Sequence, residues 1–297
     1  MLHRINRFMT TSIFTFGASS LMALTSYSES ITKIDDKVQI IAHRGGKALW
    51  PENTLFSLKN AANLGVDWLE FDIQSSADGH ALVFHDDTLE RTTNGVGPIS
   101  ALSLEELRSL DAAYNWTKDD GASFPYRNKE IKIPLLEEVF QALPKMRMLI
   151  ELKSTGNPQE LCRLIQRYQR EHLTVVGSFF EEKIAAFKLA CPNIAVSAGR
   201  TQIKNFYISN LVYLSTLYRP KIHSMQLPID PEESEGKELV TRRMIRALKK
   251  QKIQSHIWTV NTEADMRRMI ELGVDGIITD DPILLKKILA EPLNAAK

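Results

Sequence analysis

Glu70 and Asp72 stand two positions apart in a run otherwise made of large apolar residues, Trp68-Leu69-Glu70-Phe71-Asp72-Ile73. Side chains alternate faces along a strand, so the two carboxylates share one face and Leu69, Phe71 and Ile73 the other. Buried without partners, these carboxylates would repel each other, so cations or a metal are expected beside them. Glu151 sits in the same way opposite Met148, Ile150 and Leu152, with Lys153 two positions on. Three carboxylates make an all-oxygen donor set, which suits Mg²⁺ or Ca²⁺ and not zinc. His43 and His85 each end an apolar run. Histidine is the acid and base of neutral pH, and two of them can divide the proton transfers of a phosphoryl reaction. Arg44 and Lys153 offer positive charge to phosphate oxygens, the first as a planar fork and the second as a point charge. Trp258, near another strand end, offers an apolar wall for an alcohol group.

Each residue also has a plain structural reading. A single histidine is more often a hydrogen-bonded core residue, Glu70 and Asp72 could be salt-bridged to Arg44, and Glu151 with Lys153 could be an ordinary ion pair. Trp258 could simply be core. Their convergence at strand ends within one chain favours a shared site. His3, His80, His172, His223 and His256 have no such setting, and among them only His223, on a late strand, is worth following. Gly95-Val96-Gly97 lacks the third glycine of a dinucleotide fingerprint and opens no helix.

These residues need strands to hold them. Short apolar runs at 38–43, 68–73, 81–85, 146–152, 174–179, 194–198, 222–227, 254–260 and 274–279 alternate with amphipathic stretches at 55–64, 160–171, 182–189, 239–250 and 263–272. Such alternation predicts β-α units on a parallel sheet, and a barrel has its active site at the carboxyl ends of its strands. Nine runs compete for eight barrel positions, so one of them must lie elsewhere. The link at 75–80 is too short for a crossover helix, which predicts an irregular connection there. Residues 87–134, rich in glycine, proline and polar side chains, read as an insertion over one end of the barrel.

The bulk composition sets outer limits. With 297 residues, 43% hydrophobic and 25% charged, one soluble globular domain over about residues 38–292 is expected. A net charge of +1 provides no field for nucleic acid, so an anionic substrate must be gripped by a local cluster. Residues 1–30 carry Arg4 and Arg7, then a mostly apolar stretch at 8–24, then a polar exit. That is the layout of a secretory signal peptide, which predicts export to a periplasm or the exterior; an uncleaved membrane anchor and a disordered cytosolic extension are the alternatives. Any membrane association is expected through this segment. Cys162 and Cys191 are expected to be two separate, partly buried thiols, with pairing as the alternative if the protein is exported.

An ordered series of motifs gives the chain a family likeness. Ala42-His43-Arg44-Gly45-Gly46, Pro51-Glu52-Asn53-Thr54, Glu70-Phe71-Asp72-Ile73 and Val83-Phe84-His85-Asp86 come first. Glu151-Leu152-Lys153, Trp258-Thr259-Val260-Asn261 and Gly276-Ile277-Ile278-Thr279-Asp280 follow. Over roughly residues 38–290 the chain resembles the glycerophosphodiester phosphodiesterase family. The resemblance implies a TIM-like (β/α)₈ barrel with a small insertion after the third strand. It further implies hydrolysis of a glycerophosphodiester, such as glycerophosphocholine, to glycerol 3-phosphate and an alcohol. On this chain His43 and His85 would be the acid/base pair. Glu70, Asp72 and Glu151 would hold one Mg²⁺ or Ca²⁺, and Arg44 and Lys153 would bind the phosphate. Glu52 would brace the site, and the insertion would cap the substrate. The rival readings are a lysophospholipase D acting on membrane-associated lipid, a non-catalytic phosphodiester binder, and a sugar-processing barrel, which would leave Arg44 and Lys153 without a purpose.

Overall fold

The computed structural model describes residues 37–291. The signal peptide or anchor expected over residues 1–30 lies outside them. Nine strands are present among the described residues: β1 (Gln39–Ala42), β2 (Trp68–Ser75), β3 (Ala81–Val83), β4 (Arg147–Leu152), β5 (Thr174–Gly177), β6 (Ala195–Val196), β7 (Ser224–Pro228), β8 (Gln254–Trp258) and β9 (Gly276–Thr279). Eight follow one another as parallel neighbours in the order β6-β5-β4-β2-β1-β9-β8-β7. The two ends meet at a parallel bridge between Ser197 and Ser224, where the Ala198 N–H donates to the Ser224 carbonyl at 2.8 Å. The sheet thus closes on itself as the expected (β/α)₈ barrel.

The surplus strand is β3. It turns back antiparallel on β2, with Ile73 opposite Val83 and Ser75 opposite Ala81, and stands off the barrel. The short link allows only this hairpin, because a parallel return needs a crossover. The strand also stops at Val83, so His85 lies just beyond its end.

Nine α-helices accompany the strands among the described residues: α1 (Leu55–Leu64), α2 (Leu104–Ser109), α3 (Leu136–Ala142), α4 (Pro158–Arg167), α5 (Glu181–Ala190), α6 (Arg200–Leu211), α7 (Arg242–Lys250), α8 (Glu263–Leu272) and α9 (Pro282–Ala290). Local chemistry sets several of their ends. Thr54 and Ser57 form a reciprocal cap at the start of α1, and Gly65 closes it in a left-handed conformation. Asn157 caps α4 ahead of Pro158, and Asp281 caps α9 ahead of Pro282. α6 buries a stripe of Ile203, Phe206, Tyr207 and Asn210 against the barrel, while Ile208 and Leu211 face water.

Strand parity divides the interior as the alternation predicts. Leu69, Phe71 and Ile73 pack outward into the core that also holds Leu58, Val139 and Ile150. The opposite face of β2 carries Trp68, Glu70, Asp72 and Gln74 into the barrel. At the foot of the barrel, meaning the N-terminal ends of the strands, the Trp68 indole donates to the Gln39 carboxamide at 2.9 Å. The rings of His223 and His256 lie 6.3 and 6.4 Å from Trp68, which places His223 at the end away from Glu151. Residues 87–134 share a separate apolar cluster with β3, built from Leu82, Phe84, Leu89, Ile99, Leu107 and Ile133.

Cys162 and Cys191 form a disulfide, with Cα atoms 5.8 Å apart, and this corrects the expectation of two separate thiols. Cys162 lies on the buried face of α4 and Cys191 immediately follows α5. These two consecutive helices pack side by side on the barrel, a juxtaposition that their spacing along the chain does not reveal.

Candidate active site

The carboxyl ends of the strands gather the carboxylates. β2 and β4 are adjacent and in register, with Asp72 opposite Glu151. Glu70, Asp72 and Glu151 each offer an oxygen, and these atoms lie within 4.8 Å of one another. Burial and the neighbouring charges of Asp72 and Glu151 push Glu70 well above the usual carboxylate range. Burial and Asp72 raise Glu151 as well. Burial works against Asp72 too, but Lys153 and Arg44 overcome it and hold that group well below its usual range. A buried, all-oxygen cluster in which two of three carboxyls remain shifted upward is short of positive charge. That donor set and that deficit fit a hard divalent cation.

The turn after β1 supplies the first cation of the site. His43–Gly45 form a single tight turn, with Arg44 at φ 50°, ψ 32°. Gly45 is required here: its φ is +80°, and an added Cβ would lie 2.6 Å from the Ser57 hydroxyl. So folded, Arg44 donates its backbone N–H to Glu70 at 3.0 Å and an Nη1 hydrogen to Glu52 at 2.8 Å. Its Nε lies 3.4 Å from Asp72. Burial would lower the Arg44 pKa, but Asp72 and Glu52 reverse this and raise it. Asn53 adds a side-chain N–H to Asp72 at 2.9 Å.

Both histidines are oriented by carboxylates. His43 Nδ1 lies 2.5 Å from Asp280 and His85 Nδ1 lies 2.5 Å from Asp86. A carboxylate accepts, so Nδ1 carries the proton and Nε2 is left bare in the neutral ring. His43 Nε2 is 3.9 Å from Glu70, at the edge of the carboxylate cluster. Burial pushes the His43 imidazole below its ordinary value against the opposing pull of Asp280. His85 is near enough for its charge to favour ionised Asp72 and Glu151.

Lys153, just past β4, reaches Asp72 at 3.1 Å and Glu151 at 2.8 Å. Trp258 ends β8, is joined to Thr259 by a cis peptide bond, and packs edge-on against Phe179 with ring centroids 5.6 Å apart. A small cavity beside Glu151 is lined by Phe179, Arg200, Ile203 and Gln226. All eight residues singled out from sequence thus lie at one end of the barrel, Trp258 on its rim.

Glu52, expected as a brace, accepts from Arg44, whereas the other bracing groups are not marked in the sequence. Asp280 and Asp86 end two of the quoted motifs, yet spacing alone assigns them no partner. Asn261 donates to Asp280 at 2.7 Å, and Lys47 stands 3.6 Å from it. Arg91, within the insertion, donates to Glu52 twice at 2.7 Å and to Asp86 at 2.5 and 3.0 Å. Burial opposes ionisation of Glu52, but Arg91 and Arg44 lower its pKa to about 2.

The glycerophosphoryl diester phosphodiesterase family profile matches residues 43–284. A glycerophosphodiester phosphodiesterase of Caldanaerobacter subterraneus subsp. tengcongensis is 34% identical over 263 residues, covering 83% of this chain and 95% of the relative. A human lysophospholipase D is 28% identical over 275 residues, covering 84% of this chain and 85% of that protein. The structure of an Oleispira antarctica phosphodiesterase in complex with the product sn-glycerol-3-phosphate is 26% identical, with a TM-score of 0.68, and covers 85% of this chain and 97% of that one. The profile runs from His43 past Asp280, so the whole carboxyl-end cluster falls inside it, and the chain belongs to the glycerophosphoryl diester phosphodiesterase family.

Proposed function

We propose that this enzyme hydrolyses glycerophosphodiesters, such as glycerophosphocholine, to glycerol 3-phosphate and a free alcohol by acid/base catalysis of His43 and His85. The observation that carries this reading is the pair of carboxylate-bound imidazoles, His43 on Asp280 and His85 on Asp86, beside one carboxylate cluster. A binder has no need of two oriented bases. Arg44 and Lys153 would hold the phosphate oxygens, the guanidinium in plane and the ammonium as a point charge. One histidine takes the proton of the attacking hydroxyl through its bare Nε2. The other, protonated, gives its proton to the departing alcohol oxygen as the P–O bond to that alcohol breaks. The attacking oxygen belongs either to water, which gives glycerol 3-phosphate directly, or to the neighbouring glycerol hydroxyl, which gives a cyclic phosphate. A water must then open that cyclic phosphate, with the histidines exchanging roles, to reach glycerol 3-phosphate. Trp258 and Phe179 would wall the alcohol side of the substrate. Glu70, Asp72 and Glu151 would hold Mg²⁺ or Ca²⁺, which would supply charge neutralisation to the phosphate.

The test is an assay of purified protein on glycerophosphocholine with Mg²⁺, with Ca²⁺ and with chelator. Glycerol 3-phosphate should appear only with a metal, and folded His43→Ala protein should turn over roughly 10²-fold or more slowly. Near-parental turnover in that variant would remove the histidine assignment. A second reading, cleavage of the head group from a lysophospholipid, draws on the human relative. Activity on lysophosphatidylcholine alone would favour it. Export is part of the proposal: the Cys162–Cys191 disulfide suits an oxidising compartment. Mature protein beginning near residues 25–31 would support it, and an intact Met1 would count against it.

A further inference from the structure

From residue 183 to 229 the sequence contains no aspartate or glutamate, and it carries Lys183, Lys188, Arg200, Lys204, Arg219 and Lys221. The same stretch leaves large apolar side chains in water. Ile208, Leu211, Val212, Tyr213, Leu214 and Leu217 are all exposed, Tyr213 at 82% and Leu217 at 77%. Most of these residues belong to the segment that follows α6, and its backbone is pinned. Arg243 of α7 donates to the Leu211 carbonyl at 3.1 Å, and its guanidinium lies 3.7 Å over the Tyr213 ring. The Gln251 side chain donates to the carbonyls of Ser215 at 2.5 Å and Tyr218 at 3.1 Å. α7 and its flanks, residues 239–262, again contain no carboxylate.

This segment leads from the end of α6 to the start of β7, so it lies toward the foot of the barrel. Lys188 near the end of α5 donates to the Lys221 carbonyl at 3.4 Å, and Gln251 precedes β8 at that same end. The described chain also enters β1 there. Glu70, Asp72 and Glu151 occupy the opposite end.

A run of adjacent exposed apolar side chains of this size marks a contact surface. Its rim carries Lys188, Arg219 and Lys221, long cationic side chains that match the boundary between acyl chains and anionic headgroups. Lys183 and Arg200 stand instead at the other end of the barrel, on the Gly156 carbonyl and beside the cavity at Glu151. A second copy of the chain fits less well, because a self-complementary interface would set like charges against one another. We propose that this face docks peripherally on a bilayer rich in anionic lipid. Among the described residues no helix is long and apolar enough to cross a membrane, so the contact is superficial. It is a contact separate from the one expected of residues 1–30. If the phosphodiesterase reading holds, the catalytic end would face away from the bilayer, toward soluble glycerophosphodiesters and away from embedded lysolipids.

The test uses the chain from Ile34 onward, which contains the closed barrel and its whole core, and so omits the N-terminal apolar stretch. It should sediment with vesicles of phosphatidylcholine and phosphatidylglycerol in equal parts, and not with phosphatidylcholine alone. The exposed pair Leu211→Ser with Leu217→Ser should weaken binding about tenfold or more, and so should Arg219→Glu with Lys221→Glu. Circular dichroism and glycerophosphocholine turnover on the same samples should match the parent, so the docking and catalytic readings can fail separately. Absence of binding to the anionic vesicles, or undiminished binding by both variants, would overturn the proposal. So would a concentration-dependent dimer that the leucine variant abolishes, which would assign the face to a second copy.

Discussion

At the scale of single residues, the site depends on what holds each proposed acid or base. Asp280 accepts from His43 Nδ1 and is itself fixed by Asn261 and Lys47. Asp280→Asn keeps the shape and removes the charge, and the amide can present its N–H to the ring and turn the wrong nitrogen toward the substrate. We expect a loss of roughly 10²-fold or more in kcat with little change in KM, and an unchanged unfolding midpoint. Steady-state kinetics beside thermal melts would check this, and a variant with parental kcat would show that Asp280 does not orient His43. Asp280 was legible as the last residue of a motif; its partner was not, because the two are 237 residues apart in the chain.

At the scale of elements, the insertion does more than cover the barrel end. Arg91 joins the Glu52 side of the site, which holds Arg44, to the Asp86 side, which holds His85. Its forked geometry is what allows both carboxylates to be held at once. Arg91→Lys should therefore recover little of what Arg91→Ala loses, with kcat down roughly tenfold or more in both. Because the side chain is half exposed, stability should move by about 1 kcal/mol or less. Full activity in the lysine variant would show that charge alone suffices. The turn after β1 is the other element under tight constraint. Gly45→Ala must place a methyl group against Ser57 at a positive φ, and should cost about 1–3 kcal/mol, read as a lower denaturation midpoint.

At the scale of the whole molecule, two features outside the site govern stability. Burial at the foot of the barrel lowers His223 to about 4, and burial together with His223 lowers His256 to about 3, each from an ordinary 6.5. The folded state therefore binds these protons more weakly than the unfolded chain. Their contribution to stability is complete above pH 6.5 and is lost as pH falls toward 4 and 3. Each should cost about 2 kcal/mol between pH 7 and pH 5, measured by chemical unfolding at the two values. His256→Gln should flatten that dependence, and an identical slope in the variant would show that His256 is not its source. The Cys162–Cys191 bridge closes a loop of 29 residues, so Cys162→Ser with Cys191→Ser should destabilise the barrel by about 3–4 kcal/mol. An unchanged denaturation midpoint in that variant would show that the cross-link contributes nothing.

Sequence alone determined the parts whose physics is local. Alternation along residues 68–73 assigned Glu70 and Asp72 to one face, and the repetition of short apolar runs and helical stretches specified a parallel α/β barrel. The short link at 75–80 marked where that pattern breaks. Tertiary structure decided everything that depends on which distant segments meet. It put β3 off the barrel, joined Cys162 to Cys191, gave His43 its Asp280, and brought Arg91 from the insertion onto Glu52 and Asp86. It also left the apolar side chains of residues 208–217 in water, where hydropathy alone would assign them to a core. The division has one cause: periodicity is written in neighbouring residues by backbone geometry, whereas pairing, bracing and exposure are fixed only when the barrel closes.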